Sequence, residues 1–279
     1  MAAEARADDY DPLLDVEAPS SLPSLTKREA TLEFAYGGAG VARPEGGGAV
    51  LWTTHVEGEI PLTTRTWHAG IAWDVASAAA EGEGRALLFG NPELWLRAVG
   101  THESGISAGG SVGGVIPMPQ LAERPPELED AVRVVKPDAT GYFSTSAIVG
   151  RPAFDLRLVS APFTFQLRQG LDFSYSFDQE RGDVVARVVV YAGWHALPRT
   201  TLGVEARQVY SITADVRDDE PSAVSLSPSM RVRAGVLEPG FSLSFPVSTP
   251  LEGIATAYFA AQVHVRLALI DMTALTLPP

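Results

Sequence analysis

Arginine supplies almost all of the positive charge in this chain, because of 21 basic residues only Lys27 and Lys136 are lysine. A guanidinium is a planar fork of donors, suited to pairing with carboxylate or phosphate. Eight arginines, Arg97, Arg157, Arg168, Arg187, Arg207, Arg231, Arg233 and Arg266, occupy the polar parity of alternating segments. Glu57, Glu59, Asp155, Glu205 and Asp215 share that parity. If the opposite, apolar parity faces outward, these side chains line an interior lumen. There the arginines could ease the passage of anions. They could equally pair with the carboxylates and fill the interior, since a buried charge left unpaired is costly.

His55, His68, His195 and His264 fall on the same polar parity but come from distant segments without ligand spacing, so they read as lumen residues rather than a metal site. No Gly-x-Ser-x-Gly elbow, phosphate-binding glycine loop or His-Glu-x-x-His motif occurs. The stretch Gly105-Ile-Ser-Ala-Gly-Gly-Ser-Val-Gly-Gly alternates with a period of two and precedes no helix, which suits a bending or closely packed strand. Neither a catalytic centre nor a cofactor is expected.

The elements that must position these residues are strands. Phe259, Ala261, Val263, Val265, Leu267 and Leu269 oppose Tyr258, Gln262, His264 and Arg266, and the same split recurs from Ala30 onward. Twelve strands are expected near residues 30–37, 49–60, 64–76, 91–99, 105–116, 147–159, 163–177, 183–195, 200–214, 222–235, 240–247 and 257–270. Several exceed the five or six residues usual in soluble sheets and reach the nine to eleven that a tilted strand needs to cross a bilayer. Short links at 61–63, 101–104, 160–162, 196–199 and 236–239 take turns with longer ones at 38–48, 77–90, 117–146 and 249–256, the asymmetry of an outer-membrane barrel. The short link at 178–182 departs from that pattern. Trp52, Trp67, Trp73, Trp194 and Tyr210 have the apolar parity, several near strand ends where an interfacial girdle sits.

Bulk properties agree. A mean hydropathy of +0.07 and the lack of any long apolar run exclude membrane helices and suit a barrel with one oily and one wet face. With no cysteine, disulfides and thiol chemistry are excluded, and a net charge of −13 argues against nucleic acid as a partner. The expected architecture is an all-β, antiparallel up-and-down transmembrane barrel of about 12 strands over residues 29–279. The acidic, Pro- and Ser-rich residues 1–28 read as a flexible leader from which an export signal has been removed; the alternative is a cytosolic chain, for which the membrane reading fails. Within the loop at 117–146, residues 126–135 have helical spacing, ended by Pro137.

Three segments carry a resemblance: Gly90-Asn91-Pro92-Glu93-Leu94-Trp95-Leu96-Arg97, Ser229-Met230-Arg231-Val232-Arg233, and Glu238-Pro239-Gly240-Phe241-Ser242-Leu243-Ser244-Phe245-Pro246. With them the chain resembles uncharacterised porin-like and transporter-like outer-membrane barrels of Gram-negative bacteria over roughly residues 30–270. The resemblance implies a pore or structural barrel in contact with membrane lipid, inserted by the outer-membrane assembly machinery, with no catalytic residues. The chain departs from such barrels after Ile270, where it continues Asp-Met-Thr-Ala-Leu instead of closing on an aromatic residue. The expected function is a channel or transporter for small polar or anionic solutes, monomeric or of undefined oligomeric state. Two alternatives are a soluble β-sandwich that binds a ligand or protein, and a plugged barrel without transport.

Overall fold

The computed structural model describes residues 29–42, 48–62, 66–80, 84–102, 104–118, 143, 146–178, 180–213, 222–248 and 257–271. Residues 1–28, the helical spacing at 126–135 and Asp215 lie outside the described residues. Thirteen strands form in chain order: β1 (Glu29–Ala42), β2 (Gly48–Pro61), β3 (Trp67–Ala80), β4 (Gly84–Phe89), β5 (Glu93–Thr101), β6 (Ile106–Val115) and β7 (Ala147–Ser160), then β8 (Phe163–Ser176), β9 (Arg181–Leu197), β10 (Thr200–Ser211), β11 (Ser222–Val232), β12 (Leu237–Pro246) and β13 (Ala257–Asp271).

Each strand pairs antiparallel with its neighbours. β1 pairs with both β13 and β2, and β2 with β3, so the sheet closes on itself. β4 and β5 are two halves of one stave. Val75–Ala80 of β3 pairs with β4, and Trp67–Ala72 of β3 pairs with β5. The interruption at Gly90-Asn91-Pro92 is tied down on several sides. The Gly90 amide donates to the Asp74 carbonyl, and Trp73 Nε1 donates to the Gly90 carbonyl at 2.6 Å. The Met118 amide donates to Asn91 Oδ1 at 2.8 Å. Twelve staves result, and the sheet closes through β1–β13 and β2–β3; among the described residues β4 pairs on one side only, with β3.

The apolar rows face outward. Trp52, Phe163, Val190, Val204 and Phe259 are each between 46 and 47% exposed, and their strand neighbours on the other face are buried or half-buried. In water such a surface would be unstable, whereas lipid contact makes it favourable. The outward aromatics include the five expected ones, and Tyr36 stacks on Trp52 with ring centroids 5.7 Å apart. A two-sheet sandwich that buries these rows against each other is not what the chain forms.

The structure lengthens some expected strands. β1 runs to Ala42 instead of residue 37, and most of the expected link at 77–90 is strand, shared between the end of β3 and β4. The turns at the end of the barrel that holds Glu29 and Asp271 are tight, and Gly105 (φ 81°) and Gly235 (φ 67°) supply left-handed backbone there. The β8–β9 link at 177–180 is indeed short, at the end where the other links are long, with Glu180 at φ 49°.

Glycines on the inward face let large side chains lie flat on the wall. Tyr191 of β9 is fully buried, and its ring covers Gly193 and Gly203, where an added Cβ would collide with it. Gly203→Ala is therefore expected to displace the Tyr191 ring and cost about 1–3 kcal/mol, read from denaturant unfolding in lipid. No measurable change would show that the ring has room to move.

Candidate functional site

Inward-facing side chains make the barrel interior the candidate site. Among the described residues of the wall it holds nine arginines, namely Arg97, Arg151, Arg157, Arg168, Arg187, Arg207, Arg231, Arg233 and Arg266. It also holds nine carboxylates, namely Glu33, Glu57, Glu59, Asp74, Glu93, Asp155, Asp172, Glu205 and Glu238. The exposed Arg181–Asp183 pair at the rim adds one of each. The wall is thus balanced, although the whole chain carries −13.

Three groups of contacts organise these charges. On the first side, Arg97 of β5 donates to Glu59 of β2, whose Oε1 also lies 2.9 Å from His68 Nδ1, and the Arg97 guanidinium sits 5.2 Å over the inward ring of Trp95. On β5–β9, Arg151 donates to Glu93 at 2.7 Å and to Asp172 at 3.1 Å, and Asp172 also receives Arg187 at 2.7 Å. On β11–β1, Arg266 donates to Glu33 at 2.8 Å, while Arg231 lies 3.9 Å from both Glu33 and Glu238 and 3.4 Å from His264 Nε2. Glu205 and Arg207 pair within β10 at 3.0 Å.

Strands with small inward residues make the longer reaches possible. Arg151 of β7 meets Glu93 of β5 across β6, whose inward residues are Ser107, Gly109, Ser111, Gly113 and Val115. A Cβ at Gly113 would stand 2.6 Å from Glu93 Oε1. Likewise Arg231 of β11 reaches His264 of β13 across β12 at Gly240, over which the His264 ring lies. The glycines and serines that looked like packing residues in the sequence are the clearances over which ion pairs span.

The eight arginines singled out in the sequence are all buried or half-buried on inward faces, as are Glu57, Glu59, Asp155 and Glu205. Sequence reading missed Glu33, Asp74, Glu93, Arg151, Asp172 and Glu238 as charged site residues; Glu93 shares the parity of Arg97, Arg151 that of Asp155 and Asp172 that of Arg168, whereas no residue of β1 or β12 had been chosen. The four histidines do not converge. His55 contacts Asp74 at 3.2 Å and Glu57 at 3.4 Å, and His195 contacts Thr164 at 3.0 Å and Thr201 at 3.4 Å. No group of three or more potential ligands spaced for a metal ion occurs among the described residues.

The interior changes character along its length. Towards the tight turns Arg97, Arg157, Tyr191 and His264 are fully buried. Towards the longer links, the β1–β7 side is apolar: Ala39, Leu51, Ala76, Ala78, Leu88, Val115 and Val149 form one buried cluster with Phe143, which lies between β6 and β7 in sequence. The facing β11 and β12 wall is instead half-buried and hydroxyl-bearing, with Ser227 and Ser244 2.6 Å apart and Ser229 and Ser242 in register below them.

A closed twelve-stave barrel with an oily exterior and an ion-paired polar interior defines a membrane-spanning barrel of the outer-membrane type. No family model and no curated protein sequence matches the chain. Solved structures do. An outer-membrane channel from Pseudomonas putida F1 is similar with a TM-score of 0.65 at 9% identity, over 91% of this chain and 100% of that one. The NanC porin is similar with a TM-score of 0.56 at 11% identity, over 85% of this chain and 100% of that one. For the KdgM porin, in complex with disordered oligogalacturonate, the values are 0.53 and 8%, over 86% and 99%. At such identities the likeness is one of fold, and the shared fold is that of outer-membrane porins and channels.

Proposed function

We propose that the chain is an outer-membrane channel that passes small polar solutes, anions among them, through the barrel interior. The observation that carries this reading is the inward face itself. Charged side chains line it from Glu33, Glu59 and Arg97 near the tight turns to Arg151 and Asp172 higher up, and half-buried serines of β11 and β12 continue it. An interior meant only to fill a barrel is cheaper to build from apolar residues, since pairing charges away from water rarely gains stability over hydrophobic packing. The KdgM porin, with its oligogalacturonate ligand, is a barrel of this fold associated with a carboxylate-bearing molecule.

One observation favours a second reading, a plugged structural barrel: the full burial of Arg97, Arg157, Tyr191 and His264 in the half nearest the tight turns. Planar-bilayer recording separates the two. Discrete conductance steps from refolded, inserted protein are expected, and their absence with insertion demonstrated would establish the plugged barrel.

A further inference from the structure

Most interior arginines are firmly held. Arg97 donates to Glu59, and Arg151, Arg187, Arg207 and Arg266 each place a nitrogen within 3.1 Å of a carboxylate oxygen. Arg168 is different. Its nearest carboxylate contact is Nη1 to Asp155 Oδ1 at 3.9 Å, beyond hydrogen-bond range, and its Nη2 makes only a long 3.4 Å bond to Ser111 Oγ. Its side chain nevertheless keeps 21% of its surface open, whereas Asp155 is 0% exposed. A guanidinium has five donors in a fixed fork, so most of the binding capacity of Arg168 is unspent.

Asp155 is the complementary oddity. Both of its oxygens are buried, and neither accepts a hydrogen bond. The cations acting on it are Arg168, Arg97 and Arg187, and the last two are committed to Glu59 and Asp172. On β6, in register with Asp155, is Gly109, which offers no side chain to either group. The carboxylate is therefore held by the field of its surroundings, Arg168 first among them, and not by a hydrogen bond, so Arg168 breaks no hydrogen bond to it on turning towards another oxyanion.

We propose that Arg168 is an oxyanion-binding residue of the lumen, taking a carboxylate or phosphate group of a solute by forked hydrogen bonds, with Asp155 as the resident competitor that it leaves. The inference rests on the channel reading for how the solute arrives, but the binding event itself does not need conduction. It narrows the anion-attracting role from a ladder of arginines to one. A bidentate guanidinium–oxyanion contact is strong enough to compete with a 3.9 Å pair that lacks a hydrogen bond.

The test uses the full chain refolded in detergent, with inorganic phosphate as the probe and binding followed by broadening of the phosphorus-31 resonance. Arg168→Gln is expected to weaken binding about tenfold or more, as for loss of a charged hydrogen-bond partner. Asp155→Asn is expected to strengthen it roughly fivefold by removing the competitor. In bilayers under a potassium chloride gradient, the reversal potential should move towards cations in the first variant and towards anions in the second. Unchanged phosphate binding in Arg168→Gln, or weakened binding in Asp155→Asn, overturns the proposal. If Arg168→Gln does not refold, the sign of the Asp155→Asn effect decides alone. Opposite shifts in binding without any conductance would uphold the site and remove the channel, and conductance without those shifts would do the reverse.

Discussion

Replacing Arg97 with methionine is expected to destabilise the folded barrel by about 3–5 kcal/mol, the cost of leaving a buried charge without its partner. Arg97 donates to Glu59, and both side chains are buried. His68 Nδ1 lies 2.9 Å from the same Glu59 carboxylate. The substitution also removes the cation from above the Trp95 ring. Urea unfolding in lipid vesicles, followed by tryptophan emission, measures the loss. Adding Glu59→Met to the same chain should recover most of it, because two apolar side chains then replace the pair. A single Arg97→Met variant within about 1 kcal/mol of the parent would mean that water reaches Glu59, as it does in exposed pairs, and that this half of the lumen is wet.

That enclosed pair was half legible in the sequence. Parity alone put Arg97 and Glu59 on the wet face, since in a closed sheet the face follows from counting by two. What parity cannot give is the partner. Arg151 and Glu93 are 58 residues apart and meet across an intervening strand because β6 presents glycine between them, a fact of register and curvature. The strand errors have a related cause. Period-two reading depends on contrast between lipid-facing and lumen-facing residues, and near the longer links the lumen face is apolar too. Ala78 and Leu88 point inward there, so Ser77–Ala80 and Gly84–Phe89 lose their alternation and read as a link. The loss is local: Leu51, Val115 and Val149 of the same oily cluster fell within expected strands, whereas Ala39, Ala78 and Leu88 did not.

The exterior supports a sharper test of where the chain resides. Val190 lies at the middle of the 17-residue β9, is 47% exposed, and is flanked by outward Leu167 and Ala206. Val190→Arg should cost about 2–4 kcal/mol in lipid, the penalty for a guanidinium at the hydrocarbon midplane. Leu202 of β10, outward-facing and exposed as well, lies two residues from a tight turn, where the same change to arginine should cost about 0–1 kcal/mol because the side chain reaches the headgroups. Unfolding in vesicles of matched thickness measures both. Water around the barrel predicts something else: two exposed aliphatic residues replaced by arginine, each within about 0.5 kcal/mol of the parent and with no dependence on position along the wall. Both residues face outward, so a gradient between Val190 and Leu202 can arise only if the surrounding medium changes along the wall, and a bilayer is the medium that does so over this distance.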